Sequence, residues 1–402
     1  MQLFQTYYNI KSHRLIDSEL KLFELSIWLH ALSRSLISVF IPILLLGIGY
    51  EIKEVVIFYF LFSLFNVPFN FFARWLTEKL GARSTIIIGS FFSIAYFVSL
   101  FNLNNNHWYS LLLIAVLAAI YDALYWVAHL YLFMVCSKND DNVSKDTSSL
   151  FMIRQLGGVI APAIGAVILI LLGSKSLILA SILILVISFF PLFRIKNLKN
   201  KPTARNKTKK FFNSPRMLKD YISHFLFSIH RSVENVIWPL FIYVLSTNIK
   251  AVAVLPIIIS VSSMTFTYFI GRTIKKKRTK MIIIGSLLIS FVWIMRIFID
   301  HQLFYYVSVF LIGFFMILVS IPLDSNLFER GEKRDALTTS MYRNAFSMSG
   351  KVLLYGILLI LLNFFEVSFV IATISLLLLL LINSIFIVKN FKLFQKKIQK
   401  IS

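Results

Sequence analysis

Twelve separate apolar runs, each seventeen residues or longer, dominate this 402-residue chain and leave few architectures open to it. They fall at roughly 22–48, 55–73, 85–101, 108–136, 148–172 and 177–193, then at 221–245, 251–271, 281–298, 303–328, 336–362 and 368–388. A bilayer core is crossed by about 20 apolar residues in a helix, which satisfies its own backbone hydrogen bonds where water is absent. The expected fold is therefore an all-α integral membrane protein of about twelve transmembrane helices. Pro42, Pro68, Pro162, Pro239, Pro256 and Pro322 lie inside the runs, as membrane helices tolerate when neighbours re-satisfy the freed backbone groups.

The polar residues say where the chain leaves the membrane. Only 15% of residues are charged against 58% hydrophobic, and the net charge is +23. In a soluble protein that charge would suggest nucleic-acid binding. Here it is scattered over short loops with no basic domain, so nucleic acid is not an expected partner. With the N-terminus placed in the cytoplasm, the inner segments carry thirty-two Lys and Arg, and the outer loops only Lys53, Lys175 and Lys250. Such asymmetry sets orientation. A multi-pass protein of the cell membrane (plasma or inner membrane) is expected, with both termini cytoplasmic. Residues 1–21 lack the short apolar core of a cleavable signal, so the first run is expected to remain as a helix. Cys136 is the single cysteine and cannot form an internal disulfide.

These boundaries divide the chain into a cytoplasmic segment 1–21, a six-helix bundle 22–193, a linker 194–219, a second bundle 220–388 and a tail 389–402. The linker holds ten basic residues and no acid. It and the other basic loops are expected to lie against anionic lipid, worth about 1 kcal/mol per basic residue near the surface. In the tail, Lys389, Lys392, Lys396, Lys397 and Lys400 stand among Phe and Ile, the pattern of an interfacial amphipathic helix.

The two bundles repeat one another. Arg34-Ser35 and Val39, then Pro42, recur in register as Arg231-Ser232 and Val236, then Pro239, at an offset of 197. Ile86 to Ser90 recurs as Ile282 to Ser286 at offset 196, Leu132-Phe133 as Leu327-Phe328 at 195, and Arg154-Gln155 matches Arg343-Asn344 at 189. The offset drifts in one direction only, as small loop deletions would produce and chance would not. Six helices repeated in one orientation imply two halves related by an axis along the membrane normal, with a solute site expected between them at mid-bilayer.

At this point the chain resembles the major facilitator superfamily over essentially its whole length. The loop between the second and third runs carries that family's Gly-x3-Asp-Arg-x-Gly-Arg-Lys pattern on Arg74, Glu78, Lys79, Gly81, Ala82 and Arg83. Glu78, Lys79, Gly81 and Arg83 keep its chemistry, while Arg74 and Ala82 depart from it. The resemblance implies a cytoplasmic gate loop here. The matching loop of the second half, residues 271–278, has no acid. In the fifth run, Gly157, Ala161, Pro162, Gly165 and Ala166 resemble part of a motif of the family's drug–proton exchangers, although small residues at this spacing equally permit close helix packing.

Charge inside a span faces a cavity, pairs, or reaches for the surface. Arg34 shares a helical face with Ser26, His30, Ser33 and Ser38, and Arg231 shares one with His224, Glu234, Asn235 and Trp238. Two arginines on one cavity would cradle a phosphate or carboxylate, a layout that resembles the family's organophosphate–phosphate exchangers. Alternatively Glu234, three residues on, neutralises Arg231 within its own helix. Arg343 and Lys351 share a face of the eleventh run with Ser347 and Gly350, and Lys351 either lines the cavity or pairs with Asp324 or Asp122. Arg296, near an outer end, is expected to snorkel. Asp122, Glu234 and Asp324 are the candidates for carrying a coupling proton or pairing with the basic residues. His129 shares a face with Trp126 and Asp122, and Asn66 with Asn70 is expected to bridge helices.

The candidate solute-binding set is therefore Arg34, Arg231, Arg343, Lys351, His30, His129, Trp126, Asn235 and Trp238. An enzyme is not expected, since no loop offers paired histidines or an Asp-x-Asp metal site, and no cofactor or metal is expected. An ATP-driven pump lacks its phosphate-binding run. The best reading is a monomeric secondary transporter moving a small solute by alternating access, with a proton as the candidate coupling ion. The excess of basic residues in the spans favours an anionic or zwitterionic solute. A proton-coupled drug exporter is the alternative, and a lipid scramblase or receptor on the same fold a remoter one.

Overall fold

The computed structural model describes residues 17–103, 107–136, 143–197, 214–270, 277–361 and 364–398. The segment 1–16, most of the linker and the end of the tail lie outside these residues, as do the acids at 140 and 141. Side chains at 154 and beyond 386 are likewise outside the described set. The described elements are helical throughout.

We number the helices by the runs that form them. α1 is Asp17–Ile37 continued as Ile41–Ile48, with a break just before Pro42. α2 is Ile52–Leu80, α3 Ala82–Phe101 and α4 Trp108–Cys136. α5 and α6 share the run Val143–Ile187, divided at Gly173, whose φ of 81° only glycine adopts readily. α7 is Pro215–Ser232, a π turn Val233–Ile237, then Trp238–Ser246. α8 is Ile249–Ile270, α9 Arg278–Phe298, α10 Gln302–Glu332, α11 Ala336–Ile360 and α12 Phe364–Ile398.

Among the described residues nine helices are long and apolar enough to cross a membrane, one of them being the joined pair α5–α6. The two missing from that set, α7 and α11, carry the polar residues of the interior: His224, Arg231 and Glu234 on one, Arg343 and Lys351 on the other.

Contacts fix the helix directions. Ser26 and Ser33 of α1 donate to the carbonyls of Ser188 (3.0 Å) and Ser181 (2.8 Å), so α6 runs opposite to α1. Gly157 and Gly165 of α5 abut Ala31–Leu32 and Leu36 respectively, so α5 runs with α1. The chain therefore reverses at Gly173. The second half repeats this. α11 runs with α7, since Tyr221 meets Tyr342 and Ser228 donates to the Ser347 carbonyl at 2.6 Å. α12 runs against α7, with Lys219 on Asn383 at one end and Trp238 on Phe369 further along. Two six-helix halves of the same orientation result.

The halves meet through α2 against α11 and α5 against α8. Tyr59 stacks on Tyr355, and Ser260 sits where a side chain at Gly158 would stand. We call the end carrying Lys21, Leu80 and Lys333 the basic end. It is closed by Phe133 against Phe328, Phe71 against Tyr342, and Met134 beside Gly331.

Candidate functional site

Between the halves lies a cavity of about 520 Å³, within the roughly 300–1,000 Å³ of small-molecule sites. Its charged lining is Arg34, Asp122, Arg231, Glu234, Asp324, Arg343 and Lys351. On α1 and α7 the lining side chains Ser38 and Asn235, towards the far end, are exposed, whereas His30 and His224 towards the basic end are buried. The cavity is therefore more open towards the far end than towards the basic end, where Phe133 and Phe328 meet.

On the first half's wall, Arg34 Nη1 donates to the Tyr121 hydroxyl at 3.0 Å and lies 3.6 Å from Asp122 Oδ1. His30 Nε2 is 2.6 Å from the same hydroxyl, and its ring stacks on Tyr125 at 3.7 Å. Tyr121 thus fixes one edge of the guanidinium. A third of the Arg34 side chain remains open. Asp122 also accepts from Asn66 Nδ2 at 3.0 Å.

On the second half's wall, Arg343 Nη2 donates to Asp324 Oδ1 at 3.1 Å, with His224 Nε2 at 3.7 Å from that oxygen. Among the described residues no carboxylate lies within 4 Å of Arg231 or Lys351. Their near neighbours are the rings of Phe227 and Phe62, each 5.9 Å away. Aromatic side chains, including Tyr59, Tyr96, Trp126 and Tyr355, share the rest of the wall with aliphatic and serine residues.

Glu234 does not neutralise Arg231. The π turn widens α7 immediately before Pro239, which has no N–H to give, and the Trp238 N–H reaches back to the Val233 carbonyl. Glu234 borders the cavity, but its carboxylate turns away to Arg296 of α9, at 2.6 and 3.3 Å. Arg296 does not snorkel either. It is buried, donates to Ser308 at 2.8 Å, and lies 3.6 Å from the centroid of Trp238. Trp238 is itself fully buried and stands outside the lining. π turns concentrate at functional sites, and this one lies in the cavity-lining stretch of α7.

Several other candidates also stand apart from the cavity. His129 is buried behind it, stacked on Tyr125 and tilted against Phe23. Ser26 and Ser33 turn to α6 rather than inward. Gly157 and Gly165 serve packing, because a Cβ at Gly165 would fall 2.3 Å from the Leu36 carbonyl oxygen, while Pro162 does line the cavity. In the gate loop, Arg83 donates to the carbonyls of Ile195 (2.8 Å) and Phe193 (3.3 Å), and Lys79 lies over Trp75. Glu78 has no ion pair among the described residues. Gly81 turns the chain at φ 90°. Residues 271–276 of the equivalent loop fall outside the described set.

Tyr121 is the cavity residue that sequence reasoning missed. It sits beside Asp122 and one turn before Tyr125, a position that would have suggested it. Asn344 was likewise passed over, although it neighbours Arg343 and is buried on the cavity's edge.

The comparisons agree with this architecture. The sequence profile of the Major Facilitator Superfamily matches residues 24–355. No curated protein sequence matches the chain. Among solved structures, the human organic anion transporter MFSD10 (TETRAN) is similar at 12% identity and TM-score 0.66, over 91% of this chain and 99% of that one. The transporter FucP in its outward conformation is similar at 13% identity and TM-score 0.68, over 92% and 98%. At these identities the likeness speaks for the fold alone. With the profile spanning both halves and the cavity between them, the chain belongs to the Major Facilitator Superfamily and is a multi-pass membrane transporter.

Proposed function

We propose that this transporter carries a small organic anion by alternating access, with the solute held at mid-bilayer by Arg231 and Lys351 and flanked by Arg34 and Arg343. The observation that carries this reading is the charge ledger of the cavity. Asp122 is engaged by Arg34, Asp324 by Arg343, and Glu234 by Arg296, which leaves Arg231 and Lys351 as a surplus of two positive charges. An unpaired cation held inside a membrane is costly, and an anionic solute relieves that cost. The proton-coupled drug exporter is less well supported, because a cationic drug needs a free carboxylate and every acid on this wall already has a basic partner. Asp122 and Asp324, each with an edge on the cavity, are the groups that would carry a coupling proton.

Thermal unfolding of the detergent-purified protein tests this against phosphorylated metabolites, carboxylated metabolites and cationic drugs. A ligand that binds only the folded state at a hundredfold excess over its Kd adds about 2.7 kcal/mol of stability. We expect stabilisation by at least one anion. Arg231→Gln and Lys351→Gln should each weaken that anion's binding by about ten- to a hundredfold, as loss of a charge-assisted hydrogen bond does. Stabilisation by cationic drugs alone, unchanged in both variants, would return the reading to the exporter.

A further inference from the structure

Three asparagines link the interior of one half to the other. Asn344 Nδ2 on α11 donates to Asn70 Oδ1 on α2 at 2.7 Å. Asn70 Nδ2 donates to Asn66 Oδ1 at 2.8 Å, and Asn66 Nδ2 donates to Asp122 Oδ2 at 3.0 Å. Asn66 and Asn70 are wholly buried and Asn344 nearly so. The bridge crosses between the halves on the basic-end side of the cavity, ten residues from the end of α2 and eight from the start of α11.

Every amide in this chain donates towards Asp122. An ionised carboxylate only accepts hydrogen bonds, whereas an amide both donates and accepts. The carboxylate heads the chain, the Ala119 and Asn66 backbone carbonyls accept from the same two amide nitrogens at 3.2 and 2.7 Å, and buried bonds aligned head to tail polarise and strengthen one another. Asn344 never touches Asp122, yet its bond to Asn70 depends on the charge there. The same carboxylate is the partner of Arg34 in the cavity.

We propose that Asn66, Asn70 and Asn344 form a latch that holds the basic end closed, and that the negative charge of Asp122 sets its strength. The inference rests on the alternating-access reading, but not on the anion, because the latch operates without any solute. Neutralising Asp122 removes the charged acceptor at the head of the chain and weakens the bonds aligned behind it, among them the bond from Asn344 to Asn70 between the halves.

The test is a spin-label distance measurement across the basic end. Labels are placed at Leu80→Cys and Arg334→Cys in a Cys136→Ser background, with the protein in nanodiscs and no solute present. The parent is expected to show mainly one short distance. Asn70→Leu and Asn344→Leu should each raise a longer-distance population by about fivefold, the effect of losing one net hydrogen bond, and the isosteric Asp122→Asn should raise it by a smaller but resolved amount. If Asn70→Leu does not fold, Asn70→Ser serves the same comparison. The double variant Asp122→Asn with Asn344→Leu should open no further than Asn344→Leu alone, a coupling that residues out of contact show only through a shared network. Additive opening in the double variant, or a parent-like distribution in Asp122→Asn, overturns the latch. Loss of anion stabilisation in the thermal assay, with the distances behaving as described, overturns the solute reading alone.

Discussion

Arg296 and Glu234 are enclosed together, the guanidinium lying 3.6 and 4.5 Å from the ring centroids of Trp238 and Trp293 while its N–H groups grip both carboxylate oxygens. Behind them Trp293 Nε1 donates to His230 Nδ1 at 2.9 Å. A buried pair of this kind is expensive to break from one side, since the survivor is left charged and unpartnered. Glu234→Gln is expected to cost about 3–5 kcal/mol of stability, read as a lowered midpoint of thermal unfolding in detergent. Glu234→Gln combined with Arg296→Gln should recover much of that loss, because neither residue then carries an uncompensated charge. A double variant as unstable as the single one would mean that the pair contributes through packing against the tryptophans and not through charge. Arg231, one turn away, has no carboxylate within 4 Å among the described residues, and the proposed anion site rests on that contrast.

At the scale of elements, the close approach of α5 to α1 depends on glycine. A Cβ at Gly165 would stand 2.3 Å from the Leu36 carbonyl oxygen, a backbone atom that cannot step aside without parting the helices. Gly165→Ala is therefore expected to destabilise the first half by about 1–3 kcal/mol, the usual cost of overpacking. Gly47→Ala, at a helical position with nothing within 4 Å, is the matched control and should leave the unfolding midpoint near the parent's. Equal effects at both sites would assign the loss to backbone entropy instead of contact. The helices themselves were legible from apolar run length, and α4 begins and ends where its run does, at Trp108 and Cys136. Helix faces were less legible. A 3.6-residue period put Glu234 and Trp238 beside Arg231, but periodicity carries no sign of a π turn, which arises from hydrogen bonding around Pro239. The same limit applies to Ser26 and Ser33. Spacing placed them with His30 and Arg34, but only tertiary contact shows that α6 takes their hydroxyls.

Across the whole molecule, each half is tied within itself and joined to the other more sparsely, as the proposed alternating access would need. Within the halves, serine hydroxyls and glycine contacts bind α1 to α5 and α6, and the equivalent contacts bind α7 to α11 and α12. Between them stand ring contacts, the Ser260 approach to Gly158, and one bridge of buried amides. The repeat was legible in the sequence because Arg34 and Arg231 kept their registers. Which walls pair their charges was not, because pairing depends on neighbours brought in from other helices. The basic residues add a direction to this symmetric frame. Thirty-two lie on the segments of one end and three on those of the other, and basic loops are retained on the cytoplasmic side during insertion. The far-end residue Asn248 and the basic-end residue Arg334 are both exposed. In a Cys136→Ser background, a membrane-impermeant maleimide applied to intact cells should label Asn248→Cys at once. Arg334→Cys should be labelled only after the membrane is opened. The reverse pattern would turn the transporter over, so that the cavity's open mouth faced the cytoplasm and solute entered this conformation from within the cell.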